Sequence, residues 1–466
     1  MPPNPPDGLE TRILVPAGAL GTGVSAREVE AGLALHPHVI ALDAGSTDSG
    51  AAYLATGRAK YSRQAVQRDL EILMAARARA DIPLLIGSCG TSGCDAALDW
   101  TLDIVREVAA ELNQAPKIAL LYSEQDASLI KAKAARGEVK PLAPVKAIDA
   151  TTIEACDHIV ALLGAEPYIA ALDGAADIIL GGRTTDTAVL AAAALRRGAG
   201  AGPAWHGAKV AECGGVCTLN PTHPGVMLAI GAESFTIAPL SSDNRCTIES
   251  VSAHMLYENS DPFRLVEPGG VLDVRDARYA AVDDRTVRVT GSRFEAMPYT
   301  LKLEGAGGGP FQTMMMVGIA DPAVLADIDG FVARMHEALV GRVRRTMGVE
   351  AEGIGISLRP YGWNAVLGRP VPDTAPPQEI GLLFVATAAT QALATEAAKT
   401  CNPWFFHFPA KPGTELPSYA FPFSPAELER GQVFEFHLNH VVEVASPFEL
   451  VRTRWVDLAE EVASHA

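Results

Sequence analysis

The stretch "LLIGSCGTSGC", residues 84 to 94, decides how the chain is read: an apolar run ends abruptly in three glycines, two serines, a threonine and two cysteines. A buried strand followed by small residues and then a helix start is the unit of a parallel sheet, and ligands bind such sheets outside the carboxyl ends of the strands. Similar apolar runs occur as "RILV" (12 to 15), "VIAL" (39 to 42), "KIALL" (117 to 121), "VKAI" (145 to 148) and "DIIL" (177 to 180). Helical spacing lies between them, in Val66, Leu70, Leu73 and Met74 and in Leu102, Val105, Val108 and Leu112, while Thr151 with Glu154 reads as a capping box. Residues 1 to 220 are therefore expected to form an α/β domain with a doubly wound, mostly parallel sheet. Residues 221 to 466 read as an α+β domain, β-rich, with a helix near 322 to 346 and a strand and helix in "EIGLLFVATAATQALATEAAKT".

Composition narrows the function. With 466 residues, 48% hydrophobic and 20% charged, the chain suits two globular domains, and no run of about 18 apolar residues or secretory leader is visible. A cytoplasmic protein without a membrane partner is expected. A net charge of −17 with no clustered Lys and Arg argues against nucleic acid. Seven cysteines without CxxC spacing read as free thiols.

The strand-end segments share one chemistry, in "PAGALGTG", "DAGSTDSG", "GSCGTSG" and "GGRTTDT". Small residues let backbone amides converge on an anion, and hydroxyls add donors. The same residues also make turns and caps anywhere. On the binding reading, Asp43, Ser46, Thr47, Ser88, Gly90, Thr91, Ser92, Arg183, Thr184, Thr185, Cys213 and His254 bind the substrate, a carboxylate, phosphate or thioester oxygen being held among them. Asp48, Asp186 and Glu212 are the candidate proton-transfer carboxylates, Glu212 standing near Lys209, His206 and His223 in the sequence. Cys89, at an expected helix start, is a candidate nucleophilic or basic thiol. "GSCGTSG" resembles the cysteine loop of cofactor-independent aspartate/glutamate-type racemases, with Cys213 as a second thiol, but the companion histidine motif is missing. "SAHMLYENSDP" brings His254, Tyr257, Glu258, Asn259 and Asp261, suited to proton transfer, a metal, or one face of a short helix. No compact ligand set or dinucleotide or phosphate fingerprint occurs, so neither an obligatory metal nor another cofactor is expected. "LEGAGGGP" (303 to 310) is a ligand approach or a turn, and the aromatic "PWFFHFP" (403 to 409), with His407, reads as an interface or core plug and fits a homo-oligomer.

Taken in order, "DAGSTDSG", "GSCGTSG", "GGRTTDTAV", the "ECGG" turn and "AHMLYENSDPFRLVEPGG" resemble the acyclic terpene utilisation AtuA family over about residues 10 to 450. The resemblance implies degradation of branched acyclic acids or their CoA thioesters, and its shorter members imply a small separate partner subunit. Many relatives carry a histidine three residues before the Glu-Cys-Gly turn, where this chain has Lys209. The expected function is a cofactor-independent lyase of the hydratase/dehydratase type on a small carboxylic acid or acyl-CoA. The alternatives are a cysteine-dependent isomerase or racemase and a non-catalytic ligand-binding subunit.

Overall fold

The computed structural model describes residues 10–369 and 375–460, and the chain is mixed α/β with several sheets. Five parallel strands form the middle of the largest sheet, in the order Thr11–Val15, Val39–Asp43, Leu84–Gly87, Ile178–Gly181 and Lys117–Tyr122. Their side chains alternate between two apolar layers. Ile13 and Val15 join Val189, Ala192 and Ala208 on one face, while Leu14 and Ile40 join Val29, Leu70 and Leu102 on the other. Both faces are dry, which explains why these strands read as unbroken apolar runs rather than as alternation. The helical spacing seen in the sequence is the inward stripe of Arg63–Ala80 and Asp95–Glu111.

The sheet does not stop where the α/β alternation fades. Val226–Ile230 pairs antiparallel with Thr11–Val15, then Ser234–Pro239, Val287–Thr290 and Arg278–Ala281 extend that edge. At the other edge Arg452–Asp457 pairs antiparallel with Lys117–Tyr122. The boundary expected at residue 220 is therefore displaced: fading alternation marks a switch from parallel to antiparallel pairing within one sheet. The chain divides instead into a first unit, running to Gly307 and resuming at Phe436, and a second unit, Gly308–Glu435.

Two local expectations also change. "VKAI" is no strand, its Val145 and Ile148 half-buried and its Lys146 and Ala147 exposed, whereas His158–Ala161, which the sequence reading passed over, is one. The helix Ala150–Glu154 is capped by Asp149, whose carboxylate accepts from the Thr152 amide at 2.7 Å, in place of a Thr151–Glu154 box.

In the second unit, Gly355–Tyr361 and Ile380–Ala388 pair antiparallel, and Ile380–Ala388 pairs on its other side with residues Phe311 to Ile319. Ile380–Ala388 alternates buried and half-buried positions, so one face is covered. The covering stripe is Phe331, Met335, Leu339 and Val343 of Ile328–Met347, with Ala397, Cys401 and Phe405 of Gln391–Phe405. The aromatic cluster around residue 405 is core here, Phe405 packing on Phe384 with ring centroids 5.4 Å apart. Among the described residues no helix is long and apolar enough to cross a membrane.

Candidate functional site

Because the central strands are parallel, their carboxyl ends deliver Asp43, the Ser88 loop and Arg183 to one rim of the first unit. At that rim lies a cleft of about 500 Å³ whose polar lining includes Asp43, Asp186, Glu212, Cys213, Tyr257 and Glu258. Ser46 and Tyr61 also line it, Tyr61 without any sequence signal that singled it out.

Asp43 ends its strand with its side chain buried. Its Oδ2 accepts from the Gly45 amide at 2.9 Å, while Oδ1 is buried without a hydrogen-bond partner. Gly87 makes the placement possible, since a Cβ there would lie 2.6 Å from Oδ1. Burial and the neighbouring Asp186 charge push the Asp43 carboxyl up to about 8, against Arg183 and the hydrogen bond from the Gly45 amide. Asp186, the first residue of Asp186–Arg196, is also raised, chiefly by burial, although Arg183 and Lys209 oppose the shift.

Arg183 does not line the cleft. Its guanidinium is buried and engaged: Nε donates to Glu304 Oε2 at 3.2 Å, and Nη1 donates to Ser88 Oγ at 3.0 Å, to the Thr184 carbonyl at 3.2 Å and to Asp186 Oδ1 at 3.2 Å. Glu304 in turn accepts from the Thr47 hydroxyl at 2.7 Å and from Lys302 at 2.8 Å. Burial alone would raise Glu304, but Arg183 and Lys302 outweigh it and hold the carboxylate near 2. The fork expected to grip a substrate carboxylate thus neutralises and orients buried acids.

The loop after Leu84–Gly87 is similarly turned inward. Ser88, Cys89, Gly90, Thr91 and Ser92 are all buried. The amides of Ser88 and Cys89 donate to the Gly182 and Gly181 carbonyls at 3.0 and 2.9 Å, the Thr91 hydroxyl to the Ala44 carbonyl at 3.1 Å, and the Ser92 hydroxyl to Cys94 Sγ at 3.4 Å. Ser88 and Thr91 hold left-handed backbone, at φ 46° and 82°. At Gly93 a Cβ would lie 2.1 Å from the Arg183 amide nitrogen. These small residues let two backbone segments meet and do not form an open anion nest. Thr184 is buried against the Tyr168 hydroxyl at 2.8 Å, and Thr185 precedes the helix at its cap position, 3.2 Å from the Thr187 hydroxyl. Cys89 is no reactive thiol in this setting: burial and then the Asp43 charge drive its ionisation well above the ordinary range.

Glu212 caps the helix Ala201–Ala211 and accepts from Lys209, one turn earlier. Burial raises the Glu212 carboxyl despite Lys209, with Asp186 adding to the effect, and Lys209 stays cationic because Glu212 offsets the cost of its own burial. The other basic neighbours read from the sequence face elsewhere: His206 bonds Ser292 at 2.8 Å, and His223 bonds Glu28 at 3.1 Å. Glu267, not singled out from the sequence, is buried, accepts from Thr187 at 2.8 Å and is pushed by burial to about 7. Cys213 is half-buried in the cleft wall, its thiol pushed up by burial and then by Glu212 and Asp186. His254 begins the short turn His254–Leu256, stacks on Tyr257 at 5.5 Å and has an Nε2 with no partner. Asp48 and Ser46 are in the strand-end turn, where the Ser46 hydroxyl oxygen accepts from the Asp48 amide at 3.1 Å, and Asp48 is exposed.

The site is thus a cleft walled by more acids than cations, with the Asp43, Asp186 and Glu212 carboxyls all raised chiefly by burial. Among the described residues two groups could hold a metal ion, Glu212–Cys213–His254, of which Glu212 and Cys213 line this cleft, and Cys94–Glu124–His158 outside its lining. The family model for the acyclic terpene utilisation family protein AtuA matches residues 43–206 and 232–425, a span that includes every cleft acid except Glu212. The chain belongs to that family. No curated protein and no solved structure matches it.

Proposed function

We infer that the first unit is an acid–base enzyme of the hydratase/dehydratase type, acting on the acyl thioester of a small branched acid, with Asp43 moving the proton. What carries this reading is the juxtaposition of Asp43 and Asp186 at one cleft, Asp43 buried with an oxygen that no protein group satisfies. A carboxyl that holds its proton near neutral pH serves equally as donor and acceptor, which addition and elimination of water beside a carbonyl both require. Asp186 keeps that proton in place by repulsion, and Arg183 fixes Asp186 from behind.

The acid lining favours the neutral carbonyl of a thioester over a free carboxylate, which would meet Asp43, Asp186, Glu212 and Glu258 together. The volume of about 500 Å³ lies within the range of small-molecule sites. The family's part in acyclic terpene utilisation supports a branched acyl group. A racemase built on Cys89 loses support, because that thiol is wholly buried.

The test uses the full chain with branched 2-enoyl and 3-hydroxyacyl thioesters in deuterated water, products being read by mass spectrometry. Interconversion with deuterium at the α-carbon, lost in Asp43→Asn, is the expected result. Binding of both thioesters without conversion, or full turnover by the variant, overturns the reading.

A further inference from the structure

Ligand atoms of Glu212, Cys213 and His254 lie within 4.8 Å of one another. They come from the end of one helix and from a turn some forty residues later, so no local motif shows them. The histidine is the informative member. It is 4% exposed, its Nε2 has no hydrogen-bond partner, and its ring is held by the Tyr257 stack. Leaving a buried ring nitrogen without a partner is costly, so such groups normally have an occupant. The other cluster differs in this respect: His158 Nδ1 lies 2.6 Å from Glu124 Oε1, and Glu124 Oε2 accepts from the Asp95 amide at 2.8 Å. Those ligands already satisfy one another.

We propose that Glu212, Cys213 and His254 bind a divalent cation of the zinc class, with a coordination position left toward the cleft. One carboxylate, one thiolate and one imidazole make a mixed set that selects a borderline metal over calcium or magnesium. Ligand atoms around tetrahedral zinc stand about 3.3–3.6 Å apart, within a small side-chain adjustment of the observed grouping. Charge balances as well. Cys213 releases its thiol proton to solvent on binding, and the carboxylate and thiolate then neutralise the dication. Lys209 is bonded to Glu212 Oε1 and leaves the second oxygen for the ion. Its positive charge is offset by Asp186 and Glu267, both of which act electrostatically on the same group of residues. The site borders the cleft through Glu212 and Cys213, so a bound ion would polarise a carbonyl placed before Asp43. The inference goes beyond the lyase reading, since metal binding is measured without turnover and either can fail alone.

The experiment titrates metal-depleted full-chain protein with cobalt(II). One equivalent is expected to give four-coordinate visible bands with a near-ultraviolet thiolate charge-transfer band, and zinc displaces it. Cys213→Ser should abolish the charge-transfer band, and His254→Ala should weaken binding at least about 100-fold, since even loss of an outer partner of a ligand costs 10–100-fold. Cys94→Ala should leave both signals intact. X-ray absorption of zinc-loaded wild-type protein, which needs no variant to fold, should show one sulfur at about 2.3 Å together with imidazole. Absence of stoichiometric binding, a charge-transfer band that survives Cys213→Ser or disappears in Cys94→Ala, or zinc bound by nitrogen and oxygen alone overturns the proposal.

Discussion

Replacing Asp43 by Asn tests the buried carboxyl in a way that a simple loss of activity cannot. The side chains are isosteric, and the amide oxygen can keep the bond from Gly45, while the new NH₂ falls where Oδ1 now has no partner. At pH about 3, where wild-type Asp43 keeps its proton both folded and unfolded, the variant should be equal in stability or weaker by about 1 kcal/mol, the cost of an unsatisfied buried donor. Above that, the balance shifts. The unfolded chain releases this proton near 3.8, whereas the folded chain holds it to about 8, so the folded state binds more protons across that window and wild-type stability falls as pH rises through it. Each tenfold in proton affinity is about 1.4 kcal/mol, so the full displacement is on the order of 6 kcal/mol. Sharing of the charge with Asp186 and Arg183 brings the expected net to about 2–5 kcal/mol. Asp43→Asn should therefore be more stable than wild type at pH 9 by that amount, with the two curves crossing between pH about 4 and 5. Urea unfolding followed by circular dichroism at both ends of the range reads this directly. A variant equally destabilised at pH about 3 and pH 9 would refute the account of Asp43, and with it the proton-transfer role.

Arg183→Met should cost about 2–4 kcal/mol in denaturant unfolding, because it leaves buried Glu304 with Lys302 as its remaining charged partner; the double variant with Glu304→Gln should recover part of that. An unchanged midpoint for the single variant would remove the ion-pair network from the stability argument. Cys89→Ala should keep turnover within about twofold and lower stability by about 1–2 kcal/mol, and the native Cys89 thiol should resist a soluble disulfide reagent until the chain unfolds. Rapid labelling of Cys89 in the folded protein contradicts its burial. Gly93→Ala meets both a left-handed φ of 63° and the Arg183 backbone, and should destabilise by about 2–4 kcal/mol or prevent folding; a thermal midpoint matching wild type would count against the loop geometry.

Much of the scaffold is legible in the sequence because two dry sheet faces force continuous apolar runs: "RILV", "VIAL", "LLIG", "KIALL" and "IILG" all lie on central strands. His158–Ala161 escaped because four residues opening on a histidine carry too little apolar text. Asp43, Asp186, Glu212 and Cys213 were legible as cleft candidates from their positions after strands or helices. The direction in which the hydroxyl-rich loop faces was not, since glycines that admit a ligand and glycines that admit another backbone look alike. Glu304 escaped for a different reason. In "LKLEG" it alternates with apolar residues as a solvent-facing residue would, and its partner Arg183 is 121 positions away. Glu267 sits inside the quoted "FRLVEPGG", where nothing local marks it as buried.

The antiparallel strand Arg452–Asp457 bears on how the chain is made. It supplies the last neighbour of Lys117–Tyr122, yet it leaves the ribosome only after the whole of Gly308–Glu435 has been synthesised. Until then the nascent sheet exposes a row of free amides and carbonyls along Lys117–Tyr122, a template for pairing with another chain. Closure of that edge therefore waits on translation of Arg452–Asp457, and a ribosome stalled shortly before that point would release a chain with the edge unpaired.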